Sequence, residues 1–424
     1  MSVTLLLVVL VVFAFFAAHL LNRYAARFVP LSGVEYLVVG ALIGPQISPQ
    51  LLSSASLDQL RPLVSLLLGV MGFLVGLQAR RKSEAWRFTV TGALIALATL
   101  LLLAIPFAAA YGLLVSPTDT LLLERTLFVI DGYRFELFLT REQCAIALVL
   151  AAVAGVSFTL PGRSGRWTEA PVFQLLRRAA LAGQWVAVTA VALVLAWTRS
   201  RAPASSIEGS AAYWFLGAIV LGVVLGACFT LFVGQETVTS RIFLATVGTM
   251  TFGAGIGAEL GVSPLFVSLV TGATVAFSSR HHEQLREQLN RLHHPSAVLL
   301  LVLAGALWVP PAEATLWLFP VVYLAFRWLA RRTLPSFFTW LTTRVDPTRL
   351  GVGLLRQGTL AVAVALDFAL RAPEHAGVVL TTAITGALAF DVLARGALRR
   401  FLIDAGTEHS ASTAGTLELP EAET

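Results

Sequence analysis

Polar and charged side chains inside long apolar segments are the first candidates for chemistry in this sequence. Gln184 and Trp185 lie side by side in the apolar segment AALAGQWVAVTAVALVLAW, and Asp367 lies in the apolar segment LAVAVALDFAL. A buried amide without a hydrogen-bond partner costs about 1 to 3 kcal/mol, so Gln184 must find a partner nearby or face water. A buried carboxylate can hold a cation when it is ionised and a proton when it is neutral. An acid inside an apolar segment is a functional candidate by default, and so is an amide that must be satisfied there.

The composition places these residues inside a membrane. The chain of 424 residues is 57% hydrophobic and 13% charged, and its mean hydropathy is +0.80. Soluble domains have roughly a quarter of their residues charged. We count about thirteen apolar runs that are long enough to cross the hydrocarbon layer as helices. They are predicted to begin near residues 3, 31, 62, 88, 142, 179, 212, 242, 264, 296, 314, 351 and 377. The predicted fold class is an all-α polytopic membrane protein.

The positions of Lys and Arg predict the orientation in the membrane. With the N-terminus outside, the loops facing the cytoplasm hold roughly three times as many Lys and Arg residues as the outer loops, as the positive-inside rule requires. The C-terminus is then cytoplasmic, and the predicted location is the cell inner (plasma) membrane. The net charge of +6 comes mainly from Arg residues between the spans. It therefore reflects topology, and no nucleic-acid partner is predicted.

Residues 1–402 are predicted to form one transmembrane domain, with two structured connections. Within residues 116–141, two alternating runs flank Asp131-Gly132, which is a turn signal typical of a β-hairpin, here on the outer side. Residues 279–295 predict an amphipathic helix on the cytoplasmic surface. Residues 403–424 are polar and acidic, and we predict a disordered cytoplasmic tail.

Histidine residues cluster in the predicted cytoplasmic linker. His281, His282, His293 and His294 could sense pH or bind a metal ion. A solvated linker is the favoured interpretation, because two His pairs eleven residues apart have no rigid ligand geometry. We predict no metal site, cofactor or catalytic residue.

Two short spans interrupted by glycine occupy corresponding positions in the chain. The segment GVEYLVVGALIGPQISP begins at Gly33, and GVSPLFVSLVTGATVAF begins at Gly261. An odd number of predicted spans separates the two starting points, so that the second unit would be inverted relative to the first. Inverted repeats of about five spans are typical of secondary transporters. Chance similarity between glycine-rich membrane helices is the alternative explanation.

Several segments resemble, in the same order, the monovalent cation:proton antiporter family, in particular its potassium-efflux and sodium/proton exchanger branch. They are VVGALIGP with LDQLRPLVSLLLGVMGFLVGLQARR, then GAELGVSPLFVSLVTGATVAFSS, and finally LLRQGTLAVAVALDF. The resemblance implies a homodimer with a scaffold unit and a core unit, in which two broken helices cross near the midplane. The matching breaks are Gly155–Gly165 and Arg356–Thr359. Broken helices suit ion transport, because half-helix ends supply partial charges within the membrane.

The resemblance also assigns candidate residues to the ion pathway, but the ion-binding acid is missing. The potassium-efflux branch has a Gln-Asp pair followed by Ile-Ala-Val, where this chain has Gln184-Trp185 followed by Val-Ala-Val. The acid therefore falls on Trp185, or on Gln184 if the alignment moves by one residue, and neither side chain titrates. A Gly-Glu pair of the family is replaced by Gly358-Thr359. The further candidates at the breaks are Ser157, Thr159, Gln357 and Thr359.

Arg327 corresponds to the basic residue that pairs with the core acid in the family. A snorkelling position at the membrane interface is an equally open interpretation, because Arg331 and Arg332 follow one turn later. Asp367 is the first candidate to replace the missing acid, although an ion-paired structural role near Arg371 is also open. Glu35, Glu259 and Asp391 lie closer to span ends or in loops.

The sequence thus predicts a monovalent cation (Na⁺ or K⁺):proton antiporter or a substrate-shifted relative. A transport-silent protein that keeps the fold as an interaction scaffold is the alternative. A membrane-embedded enzyme is not predicted, because no nucleophile–base set occurs within the spans. If the alignment is right, the Trp185 ring occupies the position that the ion takes in the family, and Arg327 gives the pocket a net positive charge. Affinity for an anion could follow from that charge.

Overall fold

The structure is a computed structural model, and it describes most of the chain between Gly33 and Gly415. The described residues are 33, 35–47, 57–79, 86–114, 121–130, 133–158, 171–200, 209–233, 239–279, 282–311, 313–342 and 351–415. The first predicted span, His281 and the candidate residue Thr159 lie outside them.

The described residues form α-helices and one pair of strands. The elements are α1 (Glu35–Ile43), α2 (Arg61–Leu77), α3 (Trp86–Leu114), β1 (Leu121–Ile130), β2 (Tyr133–Thr140), α4 (Arg141–Gly155), α5 (Pro171–Arg199), α6 (Ala211–Val233), α7 (Thr239–Glu259), α8 (Pro264–Ser278), α9 (His282–Ala306), a 3₁₀-helix (Ala314–Leu318), α10 (Phe319–Thr342), α11 (Thr359–Ala369) and α12 (Pro373–Gly415).

The helices have the lengths and composition of membrane spans. Within the described residues, five are long and apolar enough to cross a membrane, namely Phe88–Gly112, Phe173–Arg199, Ala211–Val233, Ser240–Glu259 and Pro373–Ala394. Four shorter apolar helices are Arg61–Leu77, Glu142–Gly155, Pro264–Ser278 and Thr359–Ala369. The predicted all-α polytopic fold is confirmed.

The helices pack in two groups. α1 and α2 pack with α6 to α9, while α3 to α5 pack with α10 to α12. In the first group, α1 packs against α9 and α2 packs against α8, so each repeat unit contributes one helix to each pair. The two segments that suggested the repeat begin with the two positive-φ glycines of the described residues, Gly33 at 96° and Gly261 at 71°. This shared left-handed turn, which favours glycine, supports the inverted repeat.

Glycines allow the α2–α8 pair to pack with its backbones in contact. A Cβ atom at Gly72 would overlap the carbonyl oxygen of Leu265 and lie 2.9 Å from its carbonyl carbon. A Cβ atom at Gly272 would likewise overlap the carbonyl oxygen of Phe73. Small residues are the usual means by which membrane helices approach closely. The first group is therefore closely packed along α2 and α8.

The two predicted breaks meet in the second group, where the structure describes residues 155–158 of Gly155–Gly165 and all of Arg356–Thr359. Residues 156–158 follow α4 without helical structure, and residues 354–358 precede α11 without it. We call these two short segments the crossing. α4 and α11 are short because each reaches only as far as the crossing.

Three predicted boundaries differ from the structure. The linker predicted at 279–295 and the span predicted from residue 296 form the single helix α9, which continues through Pro295. α5 begins at Pro171, earlier than the predicted residue 179, because a helix can continue past the apolar part of its sequence. The disordered tail predicted from residue 403 is wrong as far as Gly415, where α12 ends. Extending an existing helix costs little, since each added residue gains one backbone hydrogen bond.

The two strands form an antiparallel hairpin between α3 and α4. β1 and β2 pair from Leu121 and Thr140 to Ile130 and Tyr133, and the predicted turn residues Asp131 and Gly132 lie outside the described residues.

Candidate functional site

The two broken segments bind each other through their backbones. The Phe158 N–H donates to the Arg356 carbonyl oxygen over 2.9 Å. The Ser157 hydroxyl donates to the Leu354 carbonyl oxygen over 2.8 Å. Ser157 is fully buried, so these contacts lie inside the protein.

Arg327 supplies the hydrogen bonds that the end of α4 lacks. The last carbonyl groups of a helix have no partner within the helix. The Arg327 guanidinium donates to the carbonyl oxygens of Ala154 over 2.7 Å and Val156 over 3.2 Å, and across the crossing to Leu355 over 3.1 Å. Its side chain is 0% exposed and lies over the Phe390 ring, with 4.8 Å to the ring centroid. Arg327 is therefore buried at the crossing and does not snorkel to an interface.

Two further side chains of α10 reach the same place, and neither was predicted to be a site residue. Arg331 donates to the carbonyl oxygens of Ala154, over 3.1 Å, and Gly155. The hydroxyl of Tyr323 accepts a hydrogen bond of 3.0 Å from the Gln357 amide, which also donates to the Val153 carbonyl oxygen over 3.3 Å. Tyr323, Arg327 and Arg331 are spaced four residues apart and share one helix face. That spacing was the available signal.

Gln184 finds its partner at the crossing. Its amide nitrogen donates to the Ser157 carbonyl oxygen over 3.3 Å, and its side chain is 5% exposed. The adjacent Gly183 approaches closely, since a Cβ atom there would lie 2.7 Å from the Gly155 carbonyl oxygen. Trp185 is half-buried and packs against the main hydrophobic core. Consecutive helical residues point about 100° apart, so Gln184 and Trp185 occupy different parts of the α5 surface.

Asp391 is a carboxylate that reaches the crossing, although it was predicted to lie near a span end. Arg356 Nε lies 2.9 Å from Asp391 Oδ1. The Asp391 side chain is 3% exposed and that of Arg356 is 20% exposed. The Arg356 guanidinium also lies over the Phe158 ring, 4.1 Å from its centroid. Pattern alone could not identify this pair, because its members are 35 residues apart.

Asp367 lies in a separate cluster. Its carboxylate accepts a hydrogen bond from the Ser263 hydroxyl and another from Arg371 Nη1 over 2.5 Å. Arg371 also donates to the Val262 carbonyl oxygen over 2.9 Å. Asp367 follows Thr359, the first residue of α11, by eight positions, which is about 12 Å along the helix. The structure therefore joins Asp367 to the loop before α8, and not to Gln184 and Arg327.

A cavity of about 610 Å³ adjoins the Asp367 cluster. Its polar lining comes from Arg61, Ser65, Thr251, Glu259 and Arg371. None of its described lining residues belongs to the crossing.

The crossing carries more positive than negative charge among the described side chains. Arg327, Arg331 and Arg356 contact it directly, and Asp391 is the one carboxylate that pairs with them there. A cation 4 to 8 Å from one guanidinium would be repelled by about 2 to 4 kcal/mol at an effective dielectric constant of 20. The carbonyl oxygens that end α4, which would suit a cation, already accept hydrogen bonds from Arg327 and Arg331. Among the described residues, no group of three or more His, Cys, Asp or Glu could hold a metal ion.

Comparisons with known proteins bear on the fold alone. No family model matches the chain, and neither does any curated protein. One solved structure of the sodium proton antiporter MjNhaP1 from Methanocaldococcus jannaschii, at pH 8, is similar with a TM-score of 0.60 and 13% identity over 96% of this chain and 100% of that one. A second, from an EM map of the same antiporter, has a TM-score of 0.56 and 13% identity over 99% and 100%.

The chain has the cation:proton antiporter fold. The predicted fold, with its inverted repeats and two broken crossing helices, is thereby confirmed, whereas neither membership of the family nor a branch of it is shown. Both matched structures are of a transporter and not of an enzyme. Because the identity is only 13%, the transported ion does not follow from the likeness.

Proposed function

We propose that the protein is a secondary transporter that keeps the antiporter fold but has shifted from Na⁺ or K⁺ to a small anion. The observation that carries the proposal is the charge at the crossing, where Arg327, Arg331 and Arg356 meet the single described carboxylate of Asp391. The expected exchange of Na⁺ or K⁺ for protons needs a carboxylate that is free to bind the cation. Gln184 stands near that place, and its amide does not titrate.

An anion has favourable partners at the same place. Arg356 is the most exposed of these three residues. Its side chain is 20% exposed, whereas Arg327 and Arg331 are at most 2% exposed. α11 begins at Thr359, directly after the crossing, and a helix N-terminus attracts negative charge. Guanidinium groups bind carboxylates and other small oxyanions in a fixed geometry.

Flux measurements in proteoliposomes test this function. Purified protein is reconstituted, and Na⁺, K⁺, chloride, nitrate and acetate gradients are imposed separately with pH recorded inside the vesicles. We expect movement of at least one anion and no Na⁺- or K⁺-dependent proton movement. Cation-dependent proton movement by the wild type would instead establish the antiport implied by the family resemblance.

A transport-silent scaffold is the second candidate function. It is favoured by Arg327, which donates to the carbonyl oxygens of Val156 and Leu355 and so holds the two broken segments together. Absence of flux for every ion, from protein that is folded and inserted, would favour this candidate over the transporter.

Gln184→Glu is expected to weaken anion binding by about 30-fold, because a new negative charge would repel the anion by about 2 kcal/mol for an assumed separation of about 8 Å and a dielectric constant of 20. The measurement is the thermal shift produced by a chloride titration at pH 7. Trp185→Glu is the matched control on the neighbouring, half-buried position, and we expect a smaller effect on affinity.

Equal effects of the two variants would contradict the placement of Gln184 at the site. If Trp185→Asp introduced Na⁺ or K⁺ flux, the ion-binding position would lie at Trp185, as the alignment with the family implies.

Dimerisation and orientation complete the proposal. A homodimer would use α6, whose outward side chains Leu216, Val220, Leu231 and Phe232 are each more than half exposed, together with the first predicted span. The N-terminus would lie outside and the C-terminus in the cytoplasm of a plasma-membrane protein. A monomeric mass throughout a detergent titration would contradict the dimer.

A further inference from the structure

The ion pair between Arg356 and Asp391 links a broken segment to the neighbouring helix α12. Arg356 belongs to the crossing itself, and its backbone carbonyl accepts the hydrogen bond that joins the two breaks. Asp391 lies on α12, one residue after Phe390, whose ring packs under Arg327. Arg356 is partly exposed and Asp391 is not. A solute that reaches the crossing would therefore meet the guanidinium and not the carboxylate.

Several charged or titratable groups lie around Asp391 or on the helices packed against it. The broken segment contributes Arg356, and α10 contributes Arg327 and Arg331 together with the titratable Tyr323. The other described charged or titratable groups on the packed helices include Glu142, Asp367, Arg371, Glu374 and His375. They lie near the first turn of α12, about 24 Å from Asp391 along that helix.

We propose that Asp391 couples the proton to the anion, so that the protein carries one proton and one anion in the same direction. This inference rests on the proposed anion transport and adds its coupling. Asp391 and a small anion compete for the guanidinium of Arg356. A proton on Asp391 removes the negative charge of the carboxylate, which then no longer competes with the anion for Arg356.

The step is balanced in charge and in protons. A proton binds to a carboxylate oxygen of Asp391, and the ion pair with Arg356 opens. The anion then pairs with the guanidinium, which the ring of Phe158 holds in place from below. When the anion leaves on the other side, the carboxyl group releases its proton and the ion pair forms again. One negative and one positive charge move together, so that the cycle is electroneutral.

The direction of coupling is opposite to that of a cation exchanger. A cation and a proton compete for the same carboxylate, and they must therefore move in opposite directions. Here the proton and the anion bind to different members of one ion pair and each favours the binding of the other. By linkage, the factor by which a bound proton raises the affinity for the anion equals the factor by which a bound anion raises the affinity for the proton.

Two measurements on the wild-type protein test the coupling. Chloride, nitrate and acetate affinities are measured in detergent between pH 5 and pH 8, and proton uptake on anion addition is measured in weak buffer. We expect the apparent Kd to rise with pH, by up to about tenfold per unit if one proton is coupled to each anion. We also expect uptake of up to one proton for each anion bound, in the pH range where the affinity changes.

Variants identify the carboxylate. Asp391→Asn is expected to bind the anion with an affinity that no longer depends on pH, and to transport it without proton movement. Arg356→Gln is expected to lose anion binding. Glu287→Gln, on an exposed position of α9, is the matched control and should behave as the wild type.

The possible failures are distinguishable. No anion binding at any pH would overturn the proposed function. Binding without pH dependence and without proton uptake would overturn the coupling alone. If Asp367→Asn removed the pH dependence and Asp391→Asn did not, the coupling acid would be Asp367 and the inference would be wrong. If Asp391→Asn does not fold, proton uptake by the wild type still tests whether a proton is coupled to the anion. Asp367→Asn then tests whether Asp367 is the acid that binds it.

Discussion

Arg327→Leu is expected to lower the free energy of unfolding by about 3 to 5 kcal/mol, the range for breaking a buried charged contact. The substitution removes the donor to the carbonyl oxygens of Ala154, Val156 and Leu355. No water replaces it at a fully buried position, and each buried acceptor left without a partner costs about 1 to 3 kcal/mol. Because these acceptors lie on both broken segments, the crossing is expected to open.

Thermal unfolding in detergent measures this effect. Arg332→Leu is the matched control on the same helix, because Arg332 is exposed and stacks on Trp328 with 5.5 Å to the ring centroid. We expect its effect to stay within about 0.5 kcal/mol. Arg327→Lys should lie between the two, since an ammonium group keeps the charge but cannot bridge several carbonyl groups as a planar guanidinium does. A stability equal to that of the wild type would show that the crossing does not depend on Arg327.

Gly72→Ala is expected to destabilise the protein by more than about 3 kcal/mol or to prevent folding. This cost exceeds the usual cost of overpacking a core, which is about 1 to 3 kcal/mol. The added Cβ atom would overlap the carbonyl oxygen of Leu265 and lie 3.1 Å from the Leu269 nitrogen. Both are backbone atoms of α8, so no side chain can move aside. The two helices would have to separate along their whole contact.

Gly217→Ala is the matched control for this substitution. Gly217 lies in α6, and a Cβ atom there would meet no other atom within 4 Å. We expect it to be neutral or to stabilise the protein by up to about 1 kcal/mol, since alanine favours the helix over glycine. The measurement is the yield and unfolding temperature of both variants in the same detergent. Equal behaviour would contradict the close backbone contact between α2 and α8.

Much of the fold could be predicted because membrane insertion depends on local sequence. Apolar runs predict spans, since each must satisfy its own backbone hydrogen bonds in lipid. Gly33 and Gly261 marked the repeat from the sequence, and both adopt a positive φ. The boundaries were less predictable: α9 continues through Pro295 and α12 continues to Gly415, because helical structure extends beyond apolar composition.

The site was predictable only in part. The structure brings Ser157, Gln184, Arg327 and Gln357 together at the crossing, with Thr359 at the start of the next helix. It places Asp367 in a different cluster and Trp185 against the hydrophobic core. Arg331 and Tyr323 were missed, although their spacing from Arg327 was a usable signal.

By itself, the sequence indicated a membrane protein with a helix repeat, and its resemblance to the antiporter family implied that the position of the ion-binding acid is taken by Trp185 or Gln184. Only the tertiary structure decided which partners the buried charges have. Arg327 contacts a carbonyl group 173 residues away, and Arg356 pairs with an acid 35 residues away. Hydropathy is a property of neighbouring residues, whereas the partner of a buried charge depends on which distant backbone groups the packing leaves without hydrogen bonds.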